Sequence, residues 1–160
     1  MGDENSGNKG WPTPFPALLY CFATIDLFAS FYMGRMRNNT NNMKSYLTNL
    51  MGYDEQLTDN LVGIFRHKLV HTAQPKTFYK NADGQIYTWA YVHCNREKHL
   101  TIQKHTDPEE AHTLWLSIID FAEDIVNSIR DPHKGYLHKL GKDAQLQLNV
   151  SKVLTELYGV

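Results

Sequence analysis

The chain has 160 residues, 42% of them hydrophobic, and a formal net charge of -1. This length and composition predict one compact domain with a sizeable core. The balanced charge excludes a general electrostatic attraction to nucleic acid or membranes, so phosphate binding would need a local basic cluster. Cys21 and Cys94 are the only cysteines, which offers no disulfide framework and favours a reducing, cytoplasmic location.

The N-terminal part of the chain does not predict a signal peptide. Residues 1–13 lack the charged and apolar regions of a signal peptide, and we interpret them as a disordered lead-in to a single domain over 14–160. The most apolar run, 17–33, is interrupted by Asp26 and falls short of the roughly 18 consecutive apolar residues of a membrane helix. We therefore expect no membrane contact.

Three helices are predicted in the first half of the chain. The first covers about 17–33, where apolar residues recur at helical spacing, and the second carries Met43, Tyr46 and Leu47 inward. The third runs over about 54–72. It must end there because Pro75 forces the preceding residue away from helical geometry.

Two more helices are predicted in the second half. One begins at Asp107 as N-cap, with Pro108 in the first helical position and Glu110 completing a capping box. Its inner stripe includes Trp115. The last covers about 142–158.

Between the third and fourth helices the hydrophobic period changes to two. Residues 76–103 alternate over QIYTWAYV and contain the turn-like segments ADG and CNREK. This pattern predicts a small antiparallel hairpin or meander. The predicted fold is therefore mainly all-α, an up-and-down bundle of about five helices with one small β insertion.

The predicted third helix ends in a cluster of cations and histidines, Arg66-His67-Lys68-Leu69-Val70-His71. This segment resembles the R-x(4-6)-H motif of the HEPN superfamily, with a polar residue directly after the arginine. The resemblance implies a helical bundle over 14–158 that in many members is a dimeric, metal-independent endoribonuclease. Other members keep the fold without the activity, which implies binding of RNA, a nucleotide or a protein partner such as an antitoxin.

The chemistry of RNA cleavage suits two of these side chains. Attack of a 2′-hydroxyl on the adjacent phosphate needs proton transfer near neutral pH, for which His71 is the predicted general acid and base. It also needs a cation for the developing negative charge, which is the role predicted for Arg66. His67 lies four residues before His71 on the same helix face and would orient it or contact the phosphate. We expect no metal or other cofactor.

Asp26 is the other candidate site residue. It lies in the middle of the apolar first helix, where an unpartnered carboxylate is costly. If the first helix packs against the third, Asp26 would pair with Arg66 or His71 and orient the site. The alternative is a place on the polar side of an amphipathic helix.

Each of these sequence features also has a purely structural interpretation. Cations are favoured at any helix C-terminus, so the motif match could be accidental and the bundle an interaction scaffold. The alternating Tyr87, Trp89 and Tyr91 could stack on bases or pack against the helices. No compact zinc-binding spacing is found among the four candidate ligands His93, Cys94, His99 and His105.

Overall fold

Six α-helices and a four-stranded sheet make up the fold in the computed structural model, which describes residues 14–66, 69, 75–106 and 110–159. The helices are α1 (Phe15–Met33), α2 (Asn39–Asn49), α3 (Glu55–Leu61), α4 (Ile118–Arg130), α5 (Tyr136–Leu140) and α6 (Ala144–Tyr158). The strands are β1 (Tyr79–Lys80), β2 (Ile86–Val92), β3 (Ile102–Gln103) and β4 (His112–Ser117).

The sheet is mixed and has the strand order β1-β2-β4-β3. Its central pair, β2 and β4, is parallel over six registered residues, and the two short edge strands pair antiparallel. A parallel pair needs a long crossover, here the chain between Val92 and His112. The prediction of a helical bundle with an antiparallel insertion is therefore wrong, because the fold belongs to the α+β class.

The predicted fourth helix is wrong over its first half, which forms β4. The segment HTLWLS fits both periods: Leu114 and Trp115 suit a helical stripe, while Leu114 and Leu116 suit one face of a strand. In the structure Leu114 and Leu116 are fully buried. Trp115 points to the other face, where its indole N–H donates to Gln103 Oε1 at 3.2 Å. Pairing with β2 therefore selects the strand over the helix for this segment. The predicted N-cap at Asp107 and Pro108 lies outside the described residues.

The helices before the sheet agree with the hydrophobic pattern. In α1, Leu18, Phe22, Ile25 and Ala29 are buried, and in α2 the buried apolar residues are Met43, Tyr46 and Leu47. These are the positions that the sequence predicts to face the core. Since each stripe is long enough to distinguish a period of 3.6 from one of 2, no tertiary information is needed there.

The aromatic face of β2 packs against the helices. Tyr87 is 1% exposed, and the Trp89 ring meets Phe65 edge-on with centroids 5.4 Å apart. Phe65 in turn stacks on Phe22 of α1 at 5.2 Å. Packing is thus the correct interpretation for Tyr87 and Trp89, whereas Tyr91 is 46% exposed.

The described part of the predicted third helix is α3 followed by a π-helical turn, Val62–Arg66. A π turn inserts an extra residue in the helical ladder and is common at functional sites. Gly63 in this turn lies directly against the Tyr79 ring, so a Cβ there would overlap the ring. The turn therefore packs closely on β1 and delivers Arg66 to the surface of α1 and α2.

Helix α1 is long and apolar enough to cross a membrane, with a mean hydropathy of 1.4 over an 18-residue window. One third of that window is buried within the protein. Core helices of water-soluble domains have the same length and composition, and so do signal sequences. This helix is therefore weak evidence for a membrane, and Asp26 lies at its centre.

Candidate functional site

A pocket of about 220 Å³ lies where α1, α2 and the π turn meet. Its apolar walls come from the side chains Leu19, Phe22, Leu27, Met36 and Met43. Its polar lining residues are Asp26, Ser30 and Arg66. The structure thus brings two of the four predicted site residues, Asp26 and Arg66, to one place.

Arg66 reaches this pocket as the last residue of the π turn. Its Nη1 donates to Thr40 Oγ1 of α2 at 2.7 Å, which fixes the far end of the guanidinium. Its Nε is buried and has no hydrogen-bond partner among the described residues. One donor of this permanently charged, pocket-lining residue is therefore not used by the part of the chain that the structure describes.

Asp26 is held in a matching way. Its Oδ2 accepts a hydrogen bond from Asn39 Nδ2 at 3.2 Å, and its Oδ1 is buried without a partner in the described ranges. Although Asp26 and Arg66 line one pocket, no ion pair within 4.0 Å joins these two described residues. Asp26 and Arg66 therefore line the same pocket, but the predicted ion pair between them is not formed.

The two histidines of the motif, His71 and His67, lie outside the described residues. Their predicted roles, and a pairing of His71 with Asp26, stay predictions. The described part of the motif is Arg66 and the fully buried Leu69.

Unpaired buried atoms are unusual and point to a missing partner. More than about 90% of buried polar groups in proteins are hydrogen-bonded, and each unpaired one costs about 1–3 kcal/mol. Thr58, Asn60 and Tyr136 also have such atoms, so their presence alone defines no site. What distinguishes this pocket is that a cation and a carboxylate that both line it, Arg66 and Asp26, each have a buried polar atom without a hydrogen-bond partner among the described residues. A ligand that supplies one acceptor and one donor would satisfy both.

A second polar cluster, which the sequence analysis missed, joins the loop after β2 to α4. Arg96 forms ion pairs with Asp120 at 2.9 Å, Glu123 at 3.2 Å and Asp124 at 2.6 Å. The three carboxylates follow the i, i+3, i+4 spacing of one helix face, which was the available signal. Their partner comes from a distant loop, so the sequence could not identify it.

Asp124 is the centre of this cluster. Its Oδ2 accepts from the Tyr53 hydroxyl at 2.9 Å and lies 3.2 Å from His99 Nε2. Burial raises the pKa of Asp124, but the hydrogen bonds from His99, Arg96 and Tyr53 outweigh it and lower the pKa to about 2. Both carboxylate oxygens are occupied by the protein's own donors, so we interpret the cluster as structural.

The candidate zinc ligands do not converge. Among the described residues, no group of three or more His, Cys, Asp or Glu side chains could hold a metal ion. His99 belongs to the Asp124 cluster, while His105 Nδ1 lies 2.8 Å from Glu110. These residues therefore have local structural partners.

No known protein family, curated protein or solved structure matches this chain. The resemblance to the HEPN superfamily therefore rests on residues 66–71 alone. The helical bundle that it implied is contradicted by the mixed sheet.

Proposed function

We propose that this protein binds RNA or a free nucleotide by taking one base into the pocket lined by Asp26 and Arg66. The observation that supports this proposal is that Asp26 and Arg66 line one apolar cavity and that Asp26 Oδ1 and Arg66 Nε are buried without hydrogen-bond partners among the described residues. Every nucleobase has an amino or imino N–H donor next to a ring nitrogen or carbonyl acceptor. The donor would bind Asp26 and the acceptor would bind Arg66.

The size and lining of the pocket suit a base. Its volume of about 220 Å³ is below the roughly 300–1,000 Å³ of sites for drug-sized ligands, so it accommodates one flat ring system. Phe22, Leu27 and Met36 supply the apolar surface on which the faces of a base can lie. Proteins that read RNA by sequence bind unpaired bases in this way, because the edges of paired bases are inaccessible. Asp26 Oδ1 and Arg66 Nε are shielded from water in this conformation, so binding requires a small side-chain rotation.

Equilibrium binding tests this proposal directly. We expect the purified protein to bind a fluorescently labelled, mixed-sequence single-stranded RNA in fluorescence anisotropy, and nucleoside monophosphates to compete for the site. The same sequence annealed into a duplex should bind much more weakly, since its bases cannot enter the pocket. Equal binding of single-stranded and duplex RNA, or no binding of either, would contradict the proposal.

The second candidate is metal-independent RNA cleavage at Arg66 and His71. It is supported by the motif and by the position of Arg66, a half-buried residue that lines a pocket. Arg66 would bind the phosphate and stabilise the transition state, and His71 would transfer the protons. This activity would act on RNA bound as proposed above, and the predicted homodimer would bring two such motifs together.

Cleavage is tested with a labelled RNA pool in excess EDTA, using the wild-type protein and folded Arg66→Ala and His71→Ala variants. We expect chelator-resistant products with 2′,3′-cyclic phosphate ends, lost in both variants. Absence of products between about pH 5.5 and 8, which brackets an unperturbed histidine, would exclude the catalytic candidate. Binding without cleavage would leave the first proposal intact.

A further inference from the structure

We propose that the turn over residues 34–38, between α1 and α2, binds a phosphate group beside the base pocket. The ligand would then be a nucleoside phosphate or single-stranded RNA in preference to a free base or nucleoside. This inference rests on the proposed base binding and adds a phosphate site to it.

The turn carries two exposed arginines, one on each side in sequence of a residue that lines the pocket. It begins at Gly34, the left-handed C-cap of α1 with φ 68°, and ends at Asn38, whose φ of 63° is rare for a residue other than glycine. Between them Met36 lines the pocket, so Arg35 and Arg37 flank a residue in contact with the proposed base site.

A buried asparagine holds this turn in shape. Asn42 is fully buried, and its Nδ2 donates to the carbonyl oxygens of Arg35 at 2.9 Å and Arg37 at 3.2 Å. Its Oδ1 accepts from Arg35 Nε at 3.0 Å. The backbone that carries both arginines is therefore fixed before any ligand arrives, which reduces the entropy lost on binding.

The charges around the turn favour an anion. Arg35 and Arg37 are exposed on the turn and Arg66 lines the adjoining pocket, against the carboxylates of Asp26 in the pocket and Glu156 at the turn. Glu156 Oε2 accepts from the Met36 N–H at 3.2 Å, which places this carboxylate beside the turn. No carboxylate of the described residues lies within 4.0 Å of the guanidinium nitrogens of Arg35 or Arg37. A guanidinium without a carboxylate can bind phosphate through two parallel hydrogen bonds.

Arg37→Gln is the cleanest test, because Asn42 holds only the Arg37 carbonyl and the turn should survive. We expect this variant to bind single-stranded RNA about tenfold more weakly, as for one lost hydrogen bond to a charged group. The slope of log K against log salt should become shallower by about 0.7, the value for one phosphate contact on a single strand. The preference for a nucleoside monophosphate over its nucleoside should also be lost.

Glu156→Gln should have the opposite effect. It keeps an oxygen that can accept from the Met36 N–H but removes a negative charge, so affinity for RNA should rise by roughly twofold to fivefold. A gain in affinity cannot be attributed to unfolding. The matched control is Arg130→Gln, an exposed arginine at the end of α4 that does not line the pocket, and it should leave affinity and salt slope unchanged.

The outcomes separate this inference from the proposed function. If Arg66→Ala abolishes binding while Arg37→Gln leaves affinity and salt slope unchanged, the phosphate site is wrong and base binding stands. If Arg130→Gln weakens binding as much as Arg37→Gln, the effect is general electrostatics and the turn is not a site. If the wild-type protein binds neither RNA nor nucleotides, both proposals are wrong.

Discussion

Replacing Arg66 by alanine should weaken binding of single-stranded RNA or a nucleotide by roughly 10- to 100-fold. A hydrogen bond to a charged group contributes about 1.5–3 kcal/mol, and each 1.4 kcal/mol is tenfold in affinity. The variant loses the Nε donor and leaves the Asp26 carboxylate on the pocket without its neighbouring cation. Isothermal titration calorimetry with a nucleoside monophosphate, or anisotropy with labelled RNA, measures the loss.

Asp26→Asn is the complementary change at the same pocket. It preserves the shape of the side chain but replaces the charged acceptor by a neutral amide, so we expect a loss of about tenfold. Arg130→Ala removes an exposed arginine outside the pocket and should bind like the wild type. Thermal unfolding of every variant verifies that it is folded. Wild-type affinity in a folded Arg66→Ala variant would show that the pocket is not the binding site.

Acid should destabilise the protein between about pH 4 and pH 2 because of Asp124. Its pKa is lowered to about 2 in the folded protein, so folding favours the ionised form. The stabilisation by ionised Asp124 is therefore complete above the unfolded pKa of about 4, and it is lost as the pH falls through the folded pKa. Since the side chain is 22% exposed, solvent screening reduces the contribution to on the order of 1–2 kcal/mol.

Asp124→Asn isolates this contribution. At pH 7 we expect a loss of on the order of 2 kcal/mol in the free energy of unfolding, because Arg96 and the Tyr53 hydroxyl lose a charged partner. The difference from the wild type should shrink toward pH 2, where the wild-type carboxyl also becomes neutral. Urea unfolding at several pH values measures both quantities.

Glu123→Gln is the matched control for the Asp124 variant. Glu123 also pairs with Arg96 but is 61% exposed, so its removal should cost less than about 1 kcal/mol. Asp120 has a lowered pKa as well, chiefly through the hydrogen bond from Ser117, and it remains in both variants. A difference between Asp124→Asn and wild type that does not change with pH would contradict the assigned cause.

The local hydrophobic pattern was sufficient to predict a secondary-structure element where that element is long and contacts the core along one stripe. The buried residues of α1 and α2, the strand nature of β2 and the stop at Gly159, which caps α6 with φ 68°, follow from hydrophobic period and terminal residues. In α6, by contrast, Leu154 and Leu157 fit the stripe but are 37% and 41% exposed. Amphipathic spacing identifies a helix without showing how much of its apolar face finds a partner.

Three features depended on contacts between distant parts of the chain. Residues 112–117 fit helix and strand equally, and the parallel pairing with β2 selected the strand. Arg96 meets α4 only because the crossover between the parallel strands passes that helix. The pocket exists because the π turn brings Arg66 against α1 and α2, beside Asp26.

The sequence by itself determined the helices α1, α2, α3 and α6, the strand β2 and the chemical candidates Asp26 and Arg66. Their properties are local: side-chain period, turn residues, charge, and the cost of a carboxylate in an apolar helix. Only the tertiary structure decided the α+β class and the position of the pocket. The pairing of β2 with β4 and the approach of Asp26 to Arg66 depend on the free energy of burying surface across the whole chain. The sequence of a single segment does not determine that free energy.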